Sequence, residues 1–320
     1  MVPGSKRAHI SRGNTQPLAM AASNVQPWLL LLLILLPAAL VSPQTAAAAP
    51  PQPTPAFDEN YVPSYGQDGY HLVDMGTEIR LTLDRRNGAG FVSKLRFGSG
   101  FFHMRIKVPS GYTAGVVTAF YLASDSSAPD RDEVDFEFLG NVDGKPITLQ
   151  TNVFVNGHGD REQRLSLWFD PAADFHDYRI LWNCFQIVLF VDETPVRVLR
   201  NLTGSVPDYE FPEKQMVVQG SVWDGSDWAT DGGRTKVDWS RGPFAAEFRG
   251  FDVAGCANTS STPCDSQSSP GMWWNGGGYR SLSAEQHAAY ENVRNKYMNY
   301  DYCTDKGRFK NKLPAECSYA

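Results

Sequence analysis

From Glu133 to Phe138 the chain reads Glu-Val-Asp-Phe-Glu-Phe, acid and apolar in strict alternation. Successive side chains on a β-strand point to opposite faces. Glu133, Asp135 and Glu137 therefore share one face, and Val134, Phe136 and Phe138 the other. The apolar trio belongs in a core. Three like charges on one face repel, and Asp and Glu are poor strand residues. A merely solvated face would more readily carry Thr, Lys or mixed signs. Glycosidic-bond cleavage does want this pattern, because it places two carboxyl groups on either side of a sugar linkage in opposite protonation states. A third acid between them raises a neighbour's pKa and keeps its proton on.

Geometry sets a condition. Positions i and i+4 of a flat strand lie ~13 Å apart at roughly 3.3 Å per residue. A retaining pair needs its carboxyl groups about 5–5.5 Å apart and an inverting pair about 6.5–9.5 Å. Two glutamates leaning together across a hollowed sheet can close that gap, whereas a flat sheet cannot. The chemical reading thus requires the strand to line the hollow of a curved sheet.

The elements around it read as strands. Ile79/Leu81/Leu83, Phe102/Met104/Ile106/Val108 and Leu149/Thr151/Val153/Val155 alternate with polar positions. Turn signals at Asn87-Gly88, Asp143-Gly144, Asn156-Gly157 and Asp231-Gly232-Gly233 punctuate them, which is the pattern of a β-sandwich. A helix is expected after the capping box Ser283-Ala284-Glu285-Gln286, with Tyr290, Val293 and Tyr297 at helical spacing. Sugar clefts combine aromatic platforms with planar polar groups, and several stretches offer them. Gln150 and Asn152 share the face opposite Thr151, and Asp160-Arg161-Glu162 forms a charged loop. Trp223 and Trp228 flank a Gly/Asp loop, where a tryptophan is less easily explained as core.

Asp132-Glu133-Val134-Asp135-Phe136-Glu137-Phe138-Leu139-Gly140-Asn141 resembles the active-site strand of the xyloglucan endotransglucosylase/hydrolases of glycoside hydrolase family 16. The resemblance extends from Phe57 to Cys317. It takes in Gln150-Thr151-Asn152, Gly159 to Arg164, Leu167-Trp168-Phe169-Asp170-Pro171, Asp227-Trp228-Ala229-Thr230, Trp273-Trp274 and Tyr302-Cys303-Thr304-Asp305. It implies an all-β, curved jelly-roll sandwich of the concanavalin type with a short C-terminal extension, and a retaining mechanism on xyloglucan in the plant cell wall. Glu133 would be the nucleophile, Glu137 the acid and then base, and Asp135 the assisting group between them. Substrate contacts carry over to Gln150, Thr151, Asn152, Asp160, Arg161, Glu162, Asp227, Trp228, Gly232 and Arg308. Trp223, which that resemblance does not supply, is expected to be a stacking platform. The chain departs from the family at Asn141-Val142-Asp143, which lacks the usual sequon. It departs also at Arg131, where His or Trp is commoner, and at Val92, where Gln is frequent. Neither Arg131 nor Val92 is expected to touch the catalytic trio.

At 320 residues the chain can bury a large core. Its formal charge of −6 argues against nucleic acid as a partner. The run Trp28–Val41 follows a leader carrying Lys6, Arg7 and Arg12 and precedes small residues at Thr45–Ala49, as in a signal peptide. An uncleaved anchor is the alternative. The resulting division is 1–49 signal peptide, 50–56 Pro-rich linker, 57–255 catalytic sandwich and 256–320 extension. Cys184 lies in the apolar run Leu181–Val191 and is expected as a buried thiol. Cys256, Cys264, Cys303 and Cys317 allow three pairings, of which local closure (Cys256–Cys264, Cys303–Cys317) is the simplest. Sequons at Asn201 and Asn258 are candidate glycosylation sites.

The expected function is a secreted enzyme that cuts xyloglucan and passes the fragment to another xyloglucan chain. Donor and acceptor chains would be its partners, with no cofactor, no metal and no membrane after leader removal. Nothing in the sequence calls for more than a monomer. Hydrolysis on the same site is the runner-up. A lectin-like module holding calcium is the reading from a different class, disfavoured because a regular strand is a poor cage for six to eight oxygens.

Overall fold

The computed structural model describes residues 55–319 except residue 126. The leader expected over 1–49 and most of the Pro-rich linker lie outside the described residues. A four-residue helix, α1 (Phe57–Asn60), leads into the strands. In chain order these are β1 (Tyr61–Tyr65), β2 (Tyr70–Val73), β3 (Glu78–Leu83), β4 (Ala89–Ser93), β5 (Phe97–Lys107), β6 (Val116–Ala123), β7 (Glu133–Leu139) and β8 (Thr148–Phe154). They continue as β9 (Gln163–Ser166), β10 (His176–Trp182), β11 (Gln186–Val191), β12 (Thr194–Arg200), β13 (Val217–Asp224), β14 (Phe244–Arg249), β15 (Ala254–Ala257) and, after the helix α2 (Ala284–Lys296), β16 (Met298–Asp301).

Two antiparallel sheets result. The front sheet runs β1-β4-β13-β6-β7-β8-β9-β16, and the back sheet runs β12-β11-β10-β5-β14-β3-β2 with β15 joined to β5. The expected sandwich is therefore the observed one. Its core is built from the alternation read in the sequence: Val134 and Phe136 are 0% exposed and Phe138 1%. Phe136 and Phe138 meet Tyr178 of the back sheet edge-on, with ring centroids 5.7 and 4.7 Å apart. Each such side chain taken out of water contributes about 1.5–3 kcal/mol, which is why β7 cannot slip by one residue without turning its acids into the core.

The extension belongs to the sandwich more closely than the division at 255/256 suggests. β15 straddles that point and pairs with β5, and β16 adds a strand to the front sheet beside β9. α2 starts at the expected capping box, with Gln286 N donating to Ser283 Oγ, and packs on β12. The disulfides are Cys256–Cys264 and Cys303–Cys317. Cys184 corrects the expectation of a buried thiol. The run Leu181–Val191 breaks after Trp182, where Asn183 Oδ1 accepts from the backbone N–H groups of Phe185 and Gln186. Cys184 sits in that turn and is half-buried.

On the outer face of the back sheet, His103 bridges two carboxylates. Nδ1 lies 3.1 Å from Asp177 and Nε2 2.9 Å from Asp252. Burial disfavours the imidazolium, but the two aspartates outweigh it and push the pKa up to about 9. A folded-state pKa above the unfolded one adds stability that is complete below the unfolded value, about 6.5, and is lost as pH rises through about 9. His103→Gln should therefore lower Tm at pH 6 and leave it nearly unchanged at pH 9.5. The pH 6 loss should be about 1–2 kcal/mol once the exposure of Asp252 is allowed for. Equal losses at both pH values would contradict the charge assignment.

Candidate active site

β7 lies between β6 and β8, with Glu133 opposite Ala123 and Phe154, Asp135 opposite Tyr121 and Asn152, and Glu137 opposite Ala119 and Gln150. Alanine stands across from each glutamate on the β6 side, and Ser221 follows Ala119 on β13. Small residues at these positions open the sheet face into a cleft of 420 Å³, lined by all three acids together with Tyr65, Tyr121, Arg131 and Trp223. Residues from four strands of one sheet thus bound a single hollow. The start of the strand is pinned by Asp132, 2% exposed. Its Oδ1 accepts from Asn156 N, and its Oδ2 accepts from Glu213 N and Lys214 N.

The three acids occupy different environments. Glu133 Oε2 accepts from Arg131 Nε at 3.0 Å. Burial raises its pKa on balance, and Arg131 together with a side-chain hydrogen bond shared with Asp135 limits the rise. Asp135 is 4% exposed, and its Oδ1 has no hydrogen-bond partner. Burial raises it well above the carboxylate range, Glu137 and Glu133 add to the push, and Arg197 opposes it. A carboxyl group so placed keeps its proton and can donate it to a neighbour. Burial pushes Glu137 up to about 7. The hydrogen bond from Gln150 works against that rise, Glu133 and Glu162 add to it, and Arg164 opposes it. The site therefore separates an acid with a cation beside it from an acid flanked by other acids. Such a pair can supply a carboxylate on one side of a bond and a proton on the other.

From Glu137 a chain of polar contacts leads to the extension. Gln150 Nε2 donates to Glu137 Oε2 at 2.7 Å, and Arg164 Nε donates to Gln150 Oε1 at 2.8 Å. The Arg164 guanidinium lies over the Tyr300 ring, whose hydroxyl accepts from Arg308 Nη1 at 3.1 Å. Arg308 also donates to Asp160 and to both oxygens of Glu162. Asn152 Oδ1 accepts from Arg161 N and so seats the same loop.

Of the expected substrate contacts only Trp223 is among the residues that line this cleft, and two, Thr151 and Arg161, point elsewhere altogether. Thr151 is 0% exposed on the opposite face, where strand alternation puts it, and accepts from Arg197. Arg161 turns its guanidinium away to Glu316 of the extension, at 2.6 Å, and to the carbonyls of His158 and Gly159. Its side chain holds the extension to the sandwich. Trp223 lines the cleft, with its ring 6.1 Å from that of Trp228. Trp228 packs with Val117, Leu139 and Ala229. The Asp227 carboxylate is 99% exposed and paired with Lys236. Gly232, at φ +64°, borders a second hollow of 240 Å³ shared with Asn141, Arg164 and Asn299.

Arg131 corrects a further expectation: it touches the trio directly and stacks over Phe154 at 4.3 Å. A two-residue offset on an extended segment would have signalled it. Asp132 and Arg164 stand in the sequence only as neighbours of candidate residues, and Tyr65 and Tyr121 carry no local signal, because their place in the cleft depends on register between distant strands. Of the two sequons, Asn258 is exposed. Asn201 is half-buried, donating to Cys184 O and accepting from Thr203 N.

Comparison with known proteins bears on this geometry. Residues 57–241 match the glycosyl hydrolases family 16, and residues 268–317 match the xyloglucan endo-transglycosylase C-terminus. A putative xyloglucan endotransglucosylase/hydrolase protein 1 of Arabidopsis thaliana is 53% identical over 82% of this chain and 86% of its own length. A xyloglucan endotransglucosylase/hydrolase of Brassica oleracea var. botrytis is 44% identical over 93% of this chain and 98% of its own. A solved glycosidic hydrolase shares the fold with a TM-score of 0.50 and 23% identity, over 61% of this chain and 91% of its own. The chain belongs to glycoside hydrolase family 16 and, within it, to the xyloglucan endotransglucosylase/hydrolases.

Proposed function

We propose that this enzyme cleaves xyloglucan by double displacement and passes the glycosyl fragment to a second xyloglucan chain. The observation that carries the reading is the unequal treatment of two glutamates on one strand face. Glu133 has Arg131 against one oxygen and a hydrogen bond with Asp135, so it is the group held ready as the carboxylate nucleophile. Glu137 keeps its proton to about pH 7 and accepts from Gln150 at Oε2, which leaves Oε1 to carry the proton toward the leaving oxygen. In the first step Glu133 attacks the anomeric carbon, the glycosidic C–O bond breaks, and Glu137 protonates the departing sugar. In the second, Glu137 takes the proton of an acceptor hydroxyl, whose oxygen displaces Glu133. The Gly232–Arg164–Asn299 hollow lies beyond Glu137 and suits an acceptor chain. Gln150, Asn152, Asp160, Glu162 and Arg308 lie on the β8–β9 side of the trio, and Trp223 offers a platform on the β13 side. The relatives' family name covers hydrolysis too, in which water replaces the acceptor. The basic leader and apolar run support secretion, the xyloglucan relatives support the cell wall as destination, and the enzyme is proposed to act as a monomer; no helix among the described residues is long and apolar enough to cross a membrane. N-terminal sequencing of secreted protein should begin near Ala47–Ala49. A start at Met1 would argue for retention of the leader.

Glu133→Gln should lower turnover by about 10⁴-fold while sparing polysaccharide binding. Full turnover in that variant would remove the nucleophile assignment. With donor xyloglucan and saturating labelled oligosaccharide, label incorporation should outpace reducing-end release, and the reverse order would assign a hydrolase. Arg131→Gln removes a cation that lowers Glu133, so the acidic limb of kcat/KM should move to higher pH, by about 0.5–1.5 units. The alkaline limb, set by Glu137 near neutrality, should stay closer to its original position. A shift of the acidic limb to lower pH would refute the pairing's role.

A further inference from the structure

Arg197 on β12 is 1% exposed and lies between the sheets. Its Nη1 donates to the carbonyl of Thr151 at 3.0 Å and to the Thr151 hydroxyl at 3.1 Å, and its guanidinium lies 5.7 Å from the Tyr302 ring. Among the described residues no carboxylate oxygen comes within 4.0 Å of it. Glu316, which borders the same small cavity, is engaged at Oε1 by Arg161 and by the Tyr302 hydroxyl. A buried charge without a paired counter-ion is costly, and proteins keep one only where something else stabilises it.

The register identifies that something. Thr151 lies opposite Phe136, flanked by Gln150 opposite Glu137 and Asn152 opposite Asp135. Arg197 therefore grips, from behind, the middle of the three-residue segment whose outer members face the acids. The acidic trio is the concentration of negative charge on the other side of that one strand layer.

We propose that Arg197, on the back sheet and out of reach of substrate, is a positioning residue of the reaction. It fixes the Gln150–Asn152 segment and supplies the positive charge that lets three carboxyl groups share one strand face. The opposition of Arg197 to the rise at Asp135 agrees with this. The inference rests on the assignment of Glu133 and Glu137 given above. The other groups facing the trio are Arg131 ahead of β7, Tyr121 on β6, Tyr65 on β1, Arg164 on β9 and Glu162 in the loop before it. Facing Arg197 are Tyr302, Tyr209, Glu316 and Arg161, with His287 and Glu291 of α2 across the cavity.

The test compares Arg197→Met, which keeps length and removes charge, with Arg197→Lys, which keeps charge and loses the two-point grip. Each is measured for Tm and for kcat and kcat/KM against pH. In folded Arg197→Met, kcat should fall about tenfold or more with little change in KM. Its acidic limb should move up by about half a pH unit or more, because a cation that favours the ionised trio is gone. Arg197→Lys should restore the limb and recover kcat only in part. A lowered Tm with wild-type kcat and unmoved limbs would make Arg197 a core strut and overturn the inference. Should Arg197→Met fail to fold, Arg197→Lys decides: reduced kcat with unmoved limbs supports the grip, and wild-type kcat refutes it. Glu133→Gln run alongside separates the two levels. Activity there sinks the underlying assignment, whereas an inactive Glu133→Gln beside an unaltered Arg197→Met sinks only the inference.

Discussion

Three carboxyl groups at alternate positions of one strand face repel one another, and much of the surrounding structure answers to that repulsion. Arg131 stands against Glu133, Gln150 donates to Glu137, and Asp135 is packed so deeply that its pKa rises well above the usual carboxylate range. None of these contacts would be needed on a strand that carried only fold information. The apolar side of β7 supplies the restoring force. With Val134, Phe136 and Phe138 buried against the back sheet, the strand cannot rotate to relieve the charge. Burial raises both Glu133 and Glu137, and the unequal charges beside them, Arg131 at the one and Glu133 and Glu162 at the other, leave them with different proton affinities, the asymmetry that double displacement uses.

The extension acts as part of the site. Arg308 holds Asp160 and Glu162, and Glu316 holds Arg161, so consecutive residues of one loop are gripped from both sides. Both holding residues lie inside the hoop closed by Cys303–Cys317. The disulfide is thus a constraint on loop position as well as on chain entropy. Glu162 in turn acts on Glu137 by charge, which adds to the contact chain Gln150–Arg164–Tyr300 that already links Glu137 to the extension.

How much of this was legible in the sequence follows from what each signal depends on. Alternation is local, so the face shared by Glu133, Asp135 and Glu137 could be read directly, as could the opposed placement of Thr151. The capping box at Ser283 is equally local. Register is not. That Ala119 and Ala123 face the glutamates, that Tyr65 and Tyr121 close the hollow, and that Arg197 reaches Thr151 from another sheet all depend on pairings between distant segments. Charge partners were the least legible. Arg161 and Arg308 look alike as cations near a loop, and only the packed extension sends one to Glu316 and the other to Asp160 and Glu162.

The hollow itself explains why the perturbation must be built in beforehand. A groove lined by one sheet face admits a long polymer sideways, but it cannot expel water by closing over the substrate. The low-dielectric surroundings that raise Glu137 and Asp135 must then come from the enzyme's own packing: Tyr121 and Asn152 beside Asp135, Gln150 beside Glu137, and the apolar layer beneath. That requirement accounts for an oxygen, Asp135 Oδ1, left buried without a partner at the centre of an otherwise open cleft. A fixed donor there would lower the carboxyl's pKa, the opposite of what burial does to it.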